Sequence, residues 1–88
     1  MSLSELKKYI NDKKLIFGRD RSLKNLKKNL VKEIFLSSNA DNIVKEDITV
    51  ISKKFNVKVS QLEITADEMG VVVKKPFAVS VAALLKWK

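Results

Sequence analysis

Basic side chains flank a single glycine near the start of this chain. The apolar run Leu15–Phe17 precedes Gly18, and Arg19, Arg21 and Lys24 follow it. The pattern predicts a short buried strand, a glycine turn and the start of a basic helix. Because the free N–H groups at a helix N-terminus carry a partial positive charge, such an end can hold a phosphate group. These residue types therefore indicate a polyanionic ligand.

The charge distribution along the chain points the same way. Residues 1–32 hold ten of the 18 Lys and Arg residues and have a net charge of +7, whereas residues 33–88 have a net charge of +1. A protein that binds a polyanion concentrates its charge, since neutralised phosphates release counterions. The alternative is a group of solvated lysines on helix faces. We expect RNA as the ligand.

Composition excludes several other classes of protein. The chain contains no Cys and no His, so a disulfide framework, the usual zinc sites and the common general bases are excluded. A metal-dependent nuclease would need carboxylates, and the one acidic pair near the proposed site, Asp20 and Asp41, lies among arginines. We therefore expect no enzyme activity, cofactor, metal or small-molecule substrate. No apolar run approaches about 20 residues and no cleavable signal is evident, so we expect an intracellular protein without a membrane partner.

Apolar periodicity predicts alternating helices and strands in one domain, residues 1–88. The predicted helices are residues 3–12, 21–28, 43–55 and 66–73, and the predicted strands are residues 15–17, 33–37, 57–62 and 77–85. Capping boxes are predicted at Ser2 with Glu5 and at Thr65 with Glu68. The order αβαβαβαβ predicts a three-layer α/β/α sandwich, which we expect to contain a mixed four-stranded sheet.

The candidate site follows from this order of elements. In open α/β sheets, ligands bind beyond the carboxyl ends of the strands. Three polar strand–helix turns qualify: Gly18–Arg21, Asn39–Asp41 and Glu63–Thr65. If these turns lie side by side, they form one polar site.

The glycine turn and five later groups of residues in register resemble a known superfamily. After the glycine turn with Ser22-Leu23-Lys24, the chain contains these further runs: Ser38-Asn39-Ala40, Lys45–Ile48, Asn56–Val59, Glu68-Met69-Gly70 and Lys75–Ala82. The arrangement resembles the kink-turn-binding ribosomal protein superfamily, over residues 6–85. The Glu-Met-Gly and Lys-Pro-Phe-x-Val-Ser runs are most similar to its L-thirty-e branch.

The resemblance implies an α/β/α sandwich that binds a kink-turn or a similar internal loop in RNA. It implies that Gly18 lets RNA backbone approach, that Asp20 and Arg21 read base edges, and that Lys24 faces the RNA. An apolar loop is implied to cover an extruded nucleotide. Combined with the charge pattern, the candidate RNA-binding residues are Gly18, Arg19, Asp20, Arg21, Lys24, Lys28, Asn39, Asp41, Ile64 and Thr65.

Three positions depart from the pattern of this superfamily. Asp20 stands where Asn or Lys is common, and a carboxylate repels phosphate although it can accept from a base amino group. Ile64 replaces the glycine usual in the L-thirty-e branch. Lys74 stands where a glycine commonly ends the last helix. These departures concern the base preference and one turn rather than the fold.

Simpler interpretations stay open at the candidate site. Gly18 suits a tight turn with positive φ, with or without RNA. Asp41 is equally suited to capping a helix. Ile64 either packs under the last helix or meets a base, and Lys24 and Lys28 are alternatively a solvated helix face.

The function we expect is a structural component of the large ribosomal subunit that binds rRNA on cytoplasmic ribosomes and is monomeric when free. The first alternative is a core protein of a guide-RNA ribonucleoprotein, because relatives in the superfamily bind kink-turns there. The second is a protein-interaction module on the same scaffold, which would present an exposed apolar patch instead of a basic turn.

Overall fold

Four strands and three complete helices are described in the structure, a computed structural model that covers residues 6–8 and 14–86. The strands are β1 (Leu15–Phe17), β2 (Val31–Leu36), β3 (Lys58–Gln61) and β4 (Val81–Leu85). The helices are α1 (Arg19–Lys27), α2 (Asn42–Lys54) and α3 (Ala66–Val72). Residues 6–8 are also helical, within the predicted helix 3–12. The predicted Ser2–Glu5 capping box lies outside the described residues.

The strands form one mixed sheet in the order β1-β4-β2-β3. Strand β4 pairs antiparallel with both β1 and β2, and β2 pairs parallel with β3. Strands β1, β2 and β3 therefore run in the same direction, and their carboxyl ends lie at one edge of the sheet. We call this edge, where the three strands lead into α1, α2 and α3, the turn edge.

Helices cover both faces of the sheet, as the sandwich prediction requires. On one face, Leu26 of α1 and Ile48 of α2 pack with Ile34 and Ala83. On the other face, Leu6 of the helical residues 6–8 and Met69 of α3 pack with Phe35 of β2 in a second core cluster. Neighbouring residues of β2 point to opposite faces, because side chains alternate along a strand. The predicted α/β/α sandwich with a mixed four-stranded sheet is confirmed.

The last strand is shorter than the sequence indicates. Residues 77–85 were predicted as one strand, but pairing begins at Val81. The preceding segment runs along α3 instead: the Lys75 N–H donates to the Gly70 carbonyl at 2.9 Å, and the Val79 N–H donates to the Ala66 carbonyl at 3.0 Å. The apolar pattern of this segment therefore reflects packing against a helix instead of pairing in the sheet. Phe77 itself is 55% exposed.

Gly70 permits this close approach. A Cβ atom at Gly70 would lie 2.1 Å from the Phe77 carbonyl oxygen, a separation that no side chain tolerates. The next turn uses Lys74, whose φ of 61° is the left-handed conformation that a glycine adopts freely. Lys74 thus adopts the left-handed backbone conformation of the glycine that is common at this position in the superfamily. Asn56, predicted as a left-handed stop after α2, has a φ of 55°.

Candidate RNA-binding site

Backbone hydrogen bonds join the three strand–helix turns at the turn edge. The Gly18 N–H donates to the Val81 carbonyl at 2.9 Å, and the Ser37 N–H donates to the Ser80 carbonyl at 2.9 Å. The Ser38 N–H in turn donates to the Ile64 carbonyl at 2.7 Å. The structure therefore brings the predicted turns side by side, with the start of β4 between the first and the second.

Gly18 forms the first turn and precedes α1 directly. Its φ is 104° and its ψ is 150°, a conformation that side chains with a Cβ disfavour. A Cβ placed at Gly18 would have no atom within 4 Å, so the turn borders open space. Helix α1 begins at Arg19, two residues earlier than predicted, and no side chain caps its N-terminus. Its first N–H groups therefore have no side-chain acceptor.

Asn39 links the second turn to the third. Its Oδ1 accepts from the Ala66 N–H at 2.9 Å and from the Ser37 hydroxyl at 3.2 Å. Ala66 is the first residue of α3, so the Asn39 amide fixes the start of that helix against the end of β2. Asp41 is the N-cap of α2, and its Oδ1 accepts from the Ile43 N–H at 2.8 Å. The capping interpretation of Asp41 is confirmed.

The third turn positions Ile64 and Thr65. Ile64 is half-buried and packs against the core cluster that contains Met69. The Thr65 hydroxyl accepts from the Glu68 N–H at 3.3 Å, and the Glu68 carboxylate accepts from the Thr65 N–H at 2.9 Å. The predicted capping box is confirmed. Both α2 and α3 thus have side-chain caps, whereas α1 does not.

The basic residues of α1 lie at different distances from this edge. Arg19 pairs with Asp47 of α2, Nη2 to Oδ2 at 3.1 Å, and lies 4.0 Å from the carboxylate of the fully solvated Asp20. Arg21 and Lys24 are exposed, in the first and the second turn of the helix. Lys28 is the C-cap, about 14 Å along the axis from Arg19 at 1.5 Å per residue. The structure does not bring Lys28 to the turn edge.

The turn edge is less basic than the charge distribution along the sequence predicts. The residues that form it, 18–21, 37–45 and 62–68, include three basic and five acidic side chains. Positive charge here is local, on Arg21 and Arg19 beside the uncapped helix end. Of the basic residues within 1–32, Arg19 and Arg21 lie at this edge, whereas the described lysines of that range lie in other parts of the fold.

Sequence reasoning missed three contacts at this edge. The Arg19–Asp47 ion pair joins α1 to α2, and the Asn39 amide joins two turns. Lys75 lies over the ring of Phe17, the residue before Gly18, with Nζ 5.3 Å from the ring centroid, a cation–π contact. Each pair is separated by at least 27 positions in sequence, so no local pattern signals it.

Neither a metal cluster nor a membrane-spanning helix is present in the residues that the structure describes. Within residues 6–8 and 14–86, no three Asp or Glu side chains come together as a potential metal site. In the same ranges, no helix has both the length and the apolar content that crossing a bilayer requires.

The α/β/α sandwich brings three strand–helix turns to one edge. One of them is a solvent-facing glycine turn before an uncapped helix, so the fold is an α/β domain with a candidate ligand site at the turn edge. The chain belongs to the ribosomal protein L7Ae/L30e/S12e/Gadd45 family, whose model matches residues 2–87. The predicted membership of this superfamily, in which L30e is the L-thirty-e branch, is confirmed.

Curated relatives agree with this assignment, and a solved structure agrees with the fold. The large ribosomal subunit protein eL30 of Sulfurisphaera tokodaii is 32% identical over 93% of this chain and 77% of its own length. The eL30 protein of Sulfolobus acidocaldarius is 33% identical over 92% and 78%. A Giardia lamblia 15.5kD RNA binding protein has a TM-score of 0.81 at 16% identity, over 97% of this chain and 71% of that one. This last likeness supports the fold.

Proposed function

We propose that the chain is a non-catalytic RNA-binding protein of the large ribosomal subunit, and that it recognises a kink-turn or a similar internal loop with its turn edge. Its relatives bear the name eL30, and those with the highest coverage align with three quarters of their own length. The proposed mechanism is stabilisation. The protein binds the bent RNA more tightly than the straight form, and the difference in affinity shifts the equilibrium toward the bent form.

The observation that carries this proposal is the uncapped N-terminus of α1 beside an open glycine. Asp41 caps α2 and Thr65 caps α3, but the first N–H groups of α1 have no side-chain acceptor. Nothing occupies the space beside Gly18, so a sugar–phosphate backbone can approach within contact distance. Arg21 and Lys24 project from the same helix for charge-assisted hydrogen bonds to phosphate.

The other candidate residues have supporting roles in this proposal. Asn39 and Asp41 hold the second turn in place through their hydrogen bonds to the Ala66 and Ile43 N–H groups. Ile64 and Thr65 form the third turn, where the half-buried Ile64 offers its remaining surface to an extruded base. Lys28 is too far along α1 to contact the same RNA turn.

The proposed site of action is rRNA on cytoplasmic ribosomes, and the free protein is proposed to be monomeric. A guide-RNA ribonucleoprotein would use the same edge in the same way, but the names of the curated relatives favour the ribosome. A role as a protein-interaction module has no comparable support, because Ile43 is the one large apolar side chain exposed among the described residues of the turn edge.

A mobility-shift titration tests the proposal. The protein is titrated with a kink-turn RNA and with a matched RNA in which the sheared G·A pairs are replaced by Watson–Crick pairs. We expect the kink-turn to bind at least tenfold more tightly. We also expect a log–log salt slope of about −3 to −5, for roughly 3–5 phosphate contacts. Equal affinity for the two RNAs would contradict kink-turn recognition.

A further inference from the structure

Lysines are concentrated at the end of the fold opposite the turn edge. Strands β1, β2 and β3 begin at this end, β4 ends there, and short connections return α1 to β2 and α2 to β3. We call the lysines located there the basic end; they are Lys14, Lys27, Lys28, Lys32, Lys53, Lys54, Lys58 and Lys86. The segments that contribute them, residue 14 and residues 27–32, 53–58 and 85–86, contain no acidic side chain.

One neighbouring carboxylate offsets part of this charge. Glu33 is 7% exposed, accepts from the Ser60 hydroxyl at 2.7 Å, and lies 3.8 Å from the ammonium of Lys58. The Lys86 ammonium donates to the Asn29 side chain at 3.1 Å. The side chains of the basic end therefore carry a net positive charge, whereas the turn edge carries more acidic than basic side chains.

Helix dipoles explain only some of these lysines. Lys27 is in the last turn of α1, and Lys53 and Lys54 are in the last turn of α2, where a positive charge stabilises the helix. Lys32 is inside the first part of β2 and Lys86 follows β4, where strands have little net dipole. Like charges held this close repel one another and destabilise the folded state. Their grouping therefore indicates a polyanionic ligand at this end.

We propose that the basic end binds the phosphate backbone of a second RNA segment, distinct from the segment at the turn edge. That this RNA segment is a second one rests on the proposed function, whereas its binding rests on the lysines. Lysine ammonium groups on flexible stems suit phosphates, which position an RNA without reading its bases. The protein measures 30 × 29 × 23 Å, so RNA held at the turn edge leaves the opposite end accessible.

An RNA backbone fits this end better than a membrane surface does. Stable binding to anionic lipid usually combines basic residues with inserted apolar side chains. The large apolar side chains that are exposed in the described residues are Ile43, Val50, Val71 and Phe77. None of them belongs to the segments that form the basic end.

The test uses a labelled RNA duplex without internal loops, longer than the 30 Å extent of the protein. Its affinity is measured by fluorescence anisotropy, first with protein alone and then with protein saturated by unlabelled kink-turn RNA. We expect the duplex to bind in both cases. The triple variant Lys28→Gln, Lys32→Gln, Lys54→Gln is expected to bind the duplex at least tenfold more weakly. Its log–log salt slope is expected to be smaller by about 3.

A charge-matched control separates a local surface from overall charge. The variant Lys7→Gln, Lys8→Gln, Lys74→Gln also loses three positive charges, from exposed lysines outside both the basic end and the turn edge. We expect it to bind the duplex within threefold of the unmodified protein. Equal losses in the two triple variants would overturn the proposal. Displacement of the duplex by kink-turn RNA would also overturn it, because a single site would then bind both.

Two further outcomes distinguish this proposal from neighbouring ones. If kink-turn RNA fails to bind but duplex binding still depends on the basic end, the proposed function fails and the basic end stands as an RNA surface. Binding to vesicles that contain phosphatidylserine, without binding to the duplex, would overturn the RNA assignment. Circular dichroism checks that both triple variants remain folded.

Discussion

Asn39 is the residue at which the geometry of the turn edge can be tested most directly. Its Oδ1 accepts two hydrogen bonds, from the first N–H of α3 at Ala66 and from the Ser37 hydroxyl. Asn39→Ala removes both acceptor contacts, whereas Asn39→Asp keeps an oxygen at the same position. The pair of variants therefore separates the acceptor role from the shape and charge of the side chain.

The magnitude follows from these two contacts. A hydrogen bond contributes about 0.5–1.5 kcal/mol net, and both of these lie where water can partly replace them. We expect Asn39→Ala to lower the free energy of unfolding by about 1–2 kcal/mol, which is about 5–12 °C in Tm for a domain of this size. For Asn39→Asp, the attraction of a carboxylate to the N-terminus of α3 opposes repulsion from Asp67 and Glu68. We expect a change within about 0.5 kcal/mol.

The assay combines thermal unfolding, followed by circular dichroism, with a kink-turn RNA titration at a temperature where each variant is folded. Asn39→Asp is expected to be stable but to bind RNA at least tenfold more weakly, about 1.4 kcal/mol, because it adds negative charge beside the phosphates. If Asn39→Asp is as unstable as Asn39→Ala, acceptance of hydrogen bonds is not what Asn39 contributes. If its RNA affinity is unchanged, the RNA does not lie along the second turn.

Three other predictions test the fold and the site. Gly70→Ala should lower the free energy of unfolding by about 2–3 kcal/mol, since its Cβ would overlap a backbone carbonyl, and a urea titration that finds no change would contradict that close contact. Lys24→Ala should weaken kink-turn binding by about 1.5–3 kcal/mol in a mobility-shift titration and leave Tm nearly unchanged; the same loss from Lys7→Ala would mean that the attraction is diffuse. Gly18→Val should lower RNA affinity by far more than its loss of folding stability explains. Leu26→Ala should lower the free energy of unfolding by about 2–5 kcal/mol and, while folded, still bind RNA within threefold of the unmodified protein. Equal losses of affinity in the two variants would mean that the RNA does not contact the first turn.

Local sequence patterns were sufficient to predict the order of the helices and strands and the local conformation at Thr65–Glu68 and at Asn56. The alternation of apolar runs predicted the order of strands and helices, because side-chain periodicity in each segment depends on near neighbours. The Thr65–Glu68 capping box and the left-handed Asn56 are also local, since each requires residues no more than four apart. The exception is the last predicted strand, residues 77–85. Its first residues, from Phe77 on, run along α3 instead of pairing in the sheet.

The spatial grouping of the charges could not be predicted from the sequence. Lys28 is the C-cap of α1, and it lies at the same end of the fold as Lys32 and Lys58 because β2 and β3 begin there and run parallel. Counting charge along the chain cannot predict this grouping, because electrostatic potential depends on distance in space. The family, the layers and the glycine turn could be predicted from local patterns in the sequence. The pairing of Arg19 with Asp47 and the grouping of lysines at the basic end depend on the order of the strands in the sheet, which brings residues that are distant in sequence together.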